Sequence, residues 1–180
     1  MKAIFTTLAI ALLMTSVAQA DLQKLCDQVS KWTPGQAGPA AEEYKGEMNF
    51  VDYDFYKKHK DQKNWLLVDA RGDAERSKNG AFENVLGLRS GLKQGDVDDF
   101  TESVMLEKIQ THFNQNNPAK NTQNKLKAQD LKAYNYILFC NGEKCPKSAS
   151  AACKMRKLGV PASQINLLSM SYTELKAKGL

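Results

Sequence analysis

Two cysteines five residues apart, Cys140 and Cys145, are the side chains of this chain best suited to covalent chemistry. A cysteine thiolate is a strong nucleophile, and a neighbouring cysteine can capture an oxidised or sulfur-loaded partner as a disulfide. Lys144 and Lys147 add positive charge beside the pair, which favours the ionised thiol. The segment therefore predicts thiol chemistry, with Cys140 as the nucleophile.

Local signals indicate how Cys140 is positioned. The run Tyr136–Phe139 is apolar and rich in strand formers, and Gly142 marks a turn after it. Pro146 suits the first position of a helix, and an alanine-rich stretch then continues to Gly159. We expect a buried strand, a tight loop and a helix, in which loop N–H groups and the positive end of the helix stabilise a thiolate.

The rest of the chain predicts alternating strands and helices. Strands are expected at 65–68, near 85–86 and at 165–168, and helices at 53–60 with Asp52 as the cap, at 98–113 and at 172–178. This alternation indicates an α/β fold with a mostly parallel central sheet and helices on both faces.

The N-terminus has the pattern of a secretory signal. Lys2 precedes an apolar stretch from Ile4 to Val17, and Ala18-Gln19-Ala20 forms a cleavage site. We therefore expect a signal peptide over 1–20, an exported, periplasmic protein, and a mature chain that is not integral to a membrane. Residues 21–48 predict a helix and a Pro/Gly-rich connector, and 49–180 a single domain.

Composition disfavours several classes of function. The 180 residues carry a net charge of +5 with scattered basic residues, so no nucleic-acid partner is expected. His59 and His112 lack metal-ligand spacing with other residues, so we expect no metal and no cofactor, and a Cys–His hydrolase is disfavoured. A cysteine phosphatase needs an arginine six residues after its nucleophile, where Pro146 stands here.

From about Phe50 to Leu180 the chain resembles the single-domain exported members of the rhodanese (sulfurtransferase) superfamily. The likeness rests on the strand WLLVDAR with Glu75 after it, on ILFC followed by a loop and an alanine-rich helix, and on the ending INLL…YTELKAKGL. The loop CNGEKCPKS resembles a subgroup with paired cysteines, C-N-G-x-x-C. The chain departs from the family at NGAFENVLGL, at Lys144 in place of an arginine, and at 169–171 in place of a Gly-Gly pair.

The resemblance implies a rhodanese-like fold and a sulfurtransferase. Cys140 would take sulfane sulfur from a donor such as thiosulfate, hold it as a persulfide, and pass it to a thiol or other thiophilic acceptor. The substrate-binding loop that it implies comprises Asn141, Gly142, Glu143, Lys144 and Lys147. Asp69 and Arg71 would either shape the electrostatics of the pocket or form a scaffold ion pair that includes Glu75.

The sequence leaves the cysteine pairing and the function open. Cys145 either resolves Cys140 as a disulfide or is a static partner of Cys140 or of Cys26, and Cys153 is a core residue or the partner of Cys26. One rival function is a periplasmic thiol–disulfide redox protein that uses Cys140 and Cys145. Another is a non-catalytic rhodanese-like module that binds a periplasmic protein partner through the same pocket.

Overall fold

The computed structural model describes residues 24, 26–29, 48–92, 95–116, 125–142 and 145–180. The predictions for the signal peptide (1–20), for the connector at 33–41 and for Glu143 and Lys144 lie outside the described residues. Within the described part of the chain, no helix is long and apolar enough to cross a membrane.

A five-stranded parallel sheet forms the centre of the fold, in the order β1-β5-β4-β2-β3. Its strands are β1 (Asn49–Val51), β2 (Trp65–Asp69), β3 (Leu86–Gly87), β4 (Asn135–Cys140) and β5 (Ile165–Ser171). The middle strand, β4, is the one that ends in Cys140, so the predicted nucleophile lies at the centre of one sheet edge.

In the part of the chain from residue 48 onward that the structure describes, these α-helices surround the sheet: α1 (Tyr53–His59), α2 (Asp73–Asn79), α3 (Glu102–Asn116), α4 (Pro146–Lys157) and α5 (Tyr172–Ala177). Short 3₁₀ helices at Ala128–Ala133 and Ala162–Gln164 precede β4 and β5. The cap of α1 is Asp52, whose carboxylate accepts from the Phe55 N–H at 2.9 Å, as the sequence predicted.

Alternate side chains of β4 enter two separate cores, because successive residues of a strand point to opposite faces. Tyr136 and Leu138 pack in a core with the buried sides of α3 and α4, whereas Ile137 and Phe139 pack with residues of α1 and α5. The helices therefore cover both faces of a parallel sheet, and the predicted α/β fold class is confirmed.

Two elements were absent from the sequence prediction. Strand β1 is three residues long and pairs only with β5. Helix α2 buries none of its residues, so it lacks the apolar stripe by which helices are found. Helix α3 also begins later than predicted, at Glu102, because the Asp98 side chain accepts from the Phe100 N–H at 3.1 Å in the preceding loop.

Candidate functional site

Cys140 is the last residue of the central strand and is 1% exposed. It pairs with Ser171, the last residue of β5, after a register shift between Leu138 and Cys140. Open parallel sheets bind ligands at the carboxyl ends of their strands, where the connecting loops gather. Cys140 therefore lies at the edge of the sheet where a site is expected.

A short loop joins Cys140 to α4, and a disulfide to Cys145 closes it. The two Cα atoms are 6.1 Å apart, and the loop turns at Gly142, whose φ of +112° favours glycine. The Cys145 N–H donates to the Gly142 carbonyl at 3.0 Å. Cys145 is the N-cap of α4 and Pro146 is its first residue, so the predicted strand, loop and helix are confirmed.

The two bonded cysteines differ in exposure. Cys140 is buried, whereas Cys145 is partly exposed and lines a cavity of about 710 Å³. The cavity walls are residues 72–75 at the start of α2, residues 89–92 with Asp96 and Val97, and Asn141 and 145–147 around the disulfide. This volume lies within the range of small-molecule sites, and Cys145 is the cysteine that reaches it.

Glu75 connects α2 to the disulfide loop. Its carboxylate accepts from the Gly72 N–H at 2.9 Å, from the Asn141 amide at 2.5 Å and from the Lys147 ammonium. Burial raises the pKa of Glu75, but the Lys147 ion pair and the hydrogen bonds from Gly72 and Asn141 outweigh burial and lower it overall. We call this set of contacts the Glu75 bridge, and it holds both ends of the loop against α2.

Asp69 and Arg71 form a buried ion pair away from the cavity. Arg71 Nε and Nη2 donate to the Asp69 carboxylate at 2.9 and 2.7 Å, and Nη2 also donates to the Gly80 carbonyl at 2.9 Å. The guanidinium stacks over the Tyr172 ring, 3.9 Å from its centroid. Neither residue lines the cavity, and Glu75 does not join the pair; an effect of the pair on the electrostatics of the cavity stays a prediction.

Arg89, which sequence reasoning missed, fixes the opposite wall. Its guanidinium donates to both oxygens of Asp99 at 2.9 and 2.8 Å and to Asp73 at 2.7 Å. Burial raises the pKa of Asp99, but hydrogen bonds from Arg89 and Lys108 bring it down to about 2. No spacing or motif marks this network, because its partners come from separate segments of the chain.

The remaining two cysteines form a second disulfide, Cys26–Cys153, with Cα atoms 5.5 Å apart. Both residues are buried in the core with Val29, and Cys153 lies on the inner side of α4. All four cysteines are therefore paired. The sequence left three pairings open, and the structure contains Cys26–Cys153 and Cys140–Cys145.

Lys154, which follows Cys153, holds the cavity wall from the other side. Its ammonium lies 2.6 Å from an Asp98 carboxylate oxygen and donates to the Gly91 carbonyl at 2.6 Å. Helix α4 thus carries Cys145 at its N-terminus and, near its last turn, contacts the cavity wall at Gly91 and the neighbouring Asp98.

His59 and His112 lie away from the cysteine pair. The His59 ring stacks on Trp65 with centroids 4.1 Å apart, and burial lowers the pKa of His112. Among the described residues, no group of three or more His, Cys, Asp or Glu side chains is arranged to hold a metal ion.

Comparisons with known proteins do not identify a family for this chain. No protein-family model matches the chain, and no curated protein is significantly similar to it. Among solved structures, the BH2092 protein from Bacillus halodurans is 16% identical, and the match covers 77% of this chain and 78% of that one at a TM-score of 0.42. At this level the likeness carries no argument, and the interpretation rests on the cysteine site.

Proposed function

We propose that the protein is an exported sulfurtransferase of rhodanese type, in which Cys140 carries sulfur and Cys145 resolves it. The observation that carries the proposal is the Cys140–Cys145 pair at the end of the central strand, at the start of α4 and beside a cavity of about 710 Å³. Both sulfurs lie at the N-terminal end of a helix, where the dipole favours thiolates. Disulfides persist in oxidising compartments, which supports export.

The proposed cycle begins with the reduced pair. The Cys140 thiolate attacks the outer sulfur of a donor such as thiosulfate, the donor S–S bond breaks, and sulfite leaves with the electron pair. This leaves a persulfide on Cys140. An external nucleophile then removes the outer sulfur, which regenerates the Cys140 thiolate.

Cys145 supplies a second way to discharge the persulfide. Its thiolate attacks the inner sulfur of the Cys140 persulfide, the Cys140–Cys145 disulfide forms, and hydrosulfide leaves with the electron pair. This step would give the same Cys140–Cys145 disulfide that the structure contains, and a thiol reductant must then open it. Two observations support this role for Cys145: it lies five residues after Cys140, and it caps the helix whose N-terminal end faces both sulfurs.

The test is mass spectrometry of the reduced mature protein before and after incubation with thiosulfate. We expect a gain of one sulfur atom that maps to Cys140. Cys140→Ser should abolish the gain, whereas the matched Cys145→Ser variant should keep it and lengthen its lifetime, because the resolving thiolate is absent. Absence of the sulfur gain in Cys145→Ser, in which no resolving thiolate can discharge the persulfide, would overturn the proposal.

The disulfide itself favours a second candidate, a thiol–disulfide redox protein that cycles between dithiol and disulfide. Such a protein exchanges electrons with partner thiols and needs both cysteines in each turnover. The Cys145→Ser variant separates the candidates, since it loses redox turnover in this case and retains persulfide formation in the first.

A further inference from the structure

We infer that the Cys140–Cys145 disulfide is opened from the cavity by an uncharged organic thiol, whose sulfur attacks Cys145 and releases Cys140 as a thiolate. The inference rests on the proposed function, because it names the class of molecule that returns the cysteine pair to its reduced state. It assigns the two cysteines different roles in reduction, and it assigns the cavity a ligand.

Access to the two sulfurs decides which cysteine is attacked. Thiol–disulfide exchange depends on which sulfur the incoming thiolate can reach. Cys140 is 1% exposed at the end of a strand that lies between two others, whereas Cys145 is partly exposed and forms part of the cavity wall. A thiol that enters the cavity therefore meets Cys145 first.

The helix end stabilises the departing sulfur, as it would stabilise either cysteine, so exposure alone sets the direction of attack. When the new bond to Cys145 forms, the Cys140–Cys145 bond breaks and Cys140 leaves with the electron pair. The released sulfur lies at the N-terminal end of the 12-residue helix α4, because it was bonded to the N-cap residue of that helix. That position stabilises a thiolate, and a leaving thiol with a lower pKa departs faster.

A second thiol completes the reduction. It attacks the incoming molecule's sulfur in the mixed disulfide, a bond between the two organic thiols forms, and Cys145 leaves as a thiolate. The net change is oxidation of two organic thiols to one disulfide and reduction of the protein pair to two thiols. Both electrons come from the thiols, so no further co-reactant is needed.

The described charges of the cavity wall slow reaction with an anionic thiol, and the same competition applies to thiosulfate as the sulfur donor. Among the described lining residues, the Lys147 ammonium is paired with Glu75, and the Arg89 guanidinium with Asp73 and Asp99. A sulfonate or carboxylate on the ligand would have to compete with these carboxylates for the same cations. An uncharged ligand leaves every ion pair in place.

The apolar side chains of the wall provide contacts for such a ligand. They are Ala74, Leu92, Val97 and Pro146. Val97 is 58% exposed, and among the described residues it is the large apolar side chain that is left exposed to solvent. Covering it would remove apolar surface from water, which favours an aliphatic thiol such as a cysteine side chain without neighbouring charges.

The experiment maps the adduct on the oxidised wild-type mature protein. Three reductants are compared at equal thiolate concentration: β-mercaptoethanol, its anionic analogue mercaptoethanesulfonate, and a cysteine tripeptide with alanine neighbours and blocked ends. Each reaction is quenched with acid and alkylated, and the peptides are identified by mass spectrometry. We expect the mixed disulfide on Cys145, the alkyl group on Cys140, and a rate for the sulfonate lower by about threefold or more.

Two variants sharpen the assignment. Cys140→Ser keeps the exposed cysteine and should form a stable adduct with the disulfide of the same tripeptide, and the matched Cys145→Ser should react more slowly. An adduct that maps to Cys140 in the wild-type protein, or equal rates for the neutral and anionic thiols, would overturn the inference. If the tripeptide reacts faster than β-mercaptoethanol, the reducing thiol is a cysteine in a protein segment. If the two rates are equal, the reducing thiol is a free small molecule.

This outcome is separable from that of the proposed function. Persulfide formation is measured on protein that is already reduced, so it does not depend on how the disulfide was opened. A persulfide on Cys140 together with reductive attack at Cys140 would refute the inference alone. Absence of the persulfide together with attack at Cys145 would refute the sulfurtransferase and leave the route of reduction intact.

Discussion

The two disulfides of this chain share one helix and have opposite surroundings. Cys26–Cys153 spans 127 residues of sequence, and both of its cysteines are buried in the core. Cys140–Cys145 spans five residues, and one of its cysteines borders an open cavity. Helix α4 contributes Cys145 at its N-cap and Cys153 from its interior, so position on the helix, rather than residue type, distinguishes the two bonds.

The two disulfides close loops of different length and therefore contribute different amounts to the free energy of unfolding. A cross-link lowers the entropy of the unfolded chain by an amount that grows with the loop it closes. By that relation the long loop is worth about 5 kcal/mol and the six-residue loop about 2 kcal/mol. The comparison teaches that the bond beside the cavity can open at a modest cost to the fold, whereas the buried bond cannot.

The largest expected effect is therefore on global stability. The double variant Cys26→Ala/Cys153→Ala should lose up to about 5 kcal/mol in the free energy of unfolding, and the matched variant Cys140→Ala/Cys145→Ala about 2 kcal/mol. Urea unfolding under oxidising conditions, followed by circular dichroism, measures both. Equal losses in the two variants would remove the distinction between a scaffold bond and a local one.

The rates of reduction should separate the two bonds next. In the folded protein, a low concentration of dithiothreitol should open Cys140–Cys145 at least about tenfold faster than Cys26–Cys153, because only the first has a cysteine within reach of solvent. A light alkylating reagent labels the cysteines that the first reduction frees, and a heavy reagent labels the remaining cysteines after full reduction. The ratio of light to heavy label on each cysteine gives the fraction of each disulfide that has opened. Prior loss of the Cys26–Cys153 bond would contradict the comparison.

A smaller effect is expected at the Glu75 bridge. Glu75→Gln removes the charge that pairs with Lys147, and we expect a loss below about 1 kcal/mol because both groups are partly exposed. The variant should also open Cys140–Cys145 about twofold faster with a phosphine reductant, since the loop is held less firmly. Glu83→Gln, an exposed carboxylate away from the cysteine pair, is the matched control and should change neither quantity.

The same bridge predicts a dependence on pH. The pKa of Glu75 is lowered in the folded protein, so its stabilisation is present above the pKa of the unfolded chain and is lost as pH falls through the folded value. In the wild-type protein, phosphine reduction of the Cys140–Cys145 bond should therefore accelerate, relative to Glu75→Gln, as the pH falls below about 4. A constant ratio of the two rates would show that the bridge does not restrain the loop.

The sequence predicted best what is decided locally. The strand before Cys140, the turn at Gly142 and the helix after Pro146 each follow from side chains within a few residues, and all three are present. The prediction failed where contacts are distant in sequence. Asn141 meets Glu75 across 66 residues, and no local pattern indicates that contact.

The pairing of the cysteines could not be predicted for a related reason. Four cysteines allow three complete pairings, and spacing alone does not choose among them. The choice depends on the N-terminal helical residues packing against the inner side of α4, which places Cys26 beside Cys153. Helix α2 was missed because it buries no apolar side chain, although it forms one wall of the cavity.

The inner side of α4 is made of small residues, and this has a mechanical consequence for the sulfur pair. Ala149, Ala151 and Ala152 are buried there, and side chains of this size let the helix lie close to the sheet. The Cα atoms of Cys140 and Cys145 are 6.1 Å apart, less than about 1 Å below the upper end of the range that disulfides tolerate. Larger side chains on this side of α4 would hold the helix further from the sheet and move Cys145 away from Cys140, so the small residues help to keep the two sulfur atoms within bonding reach.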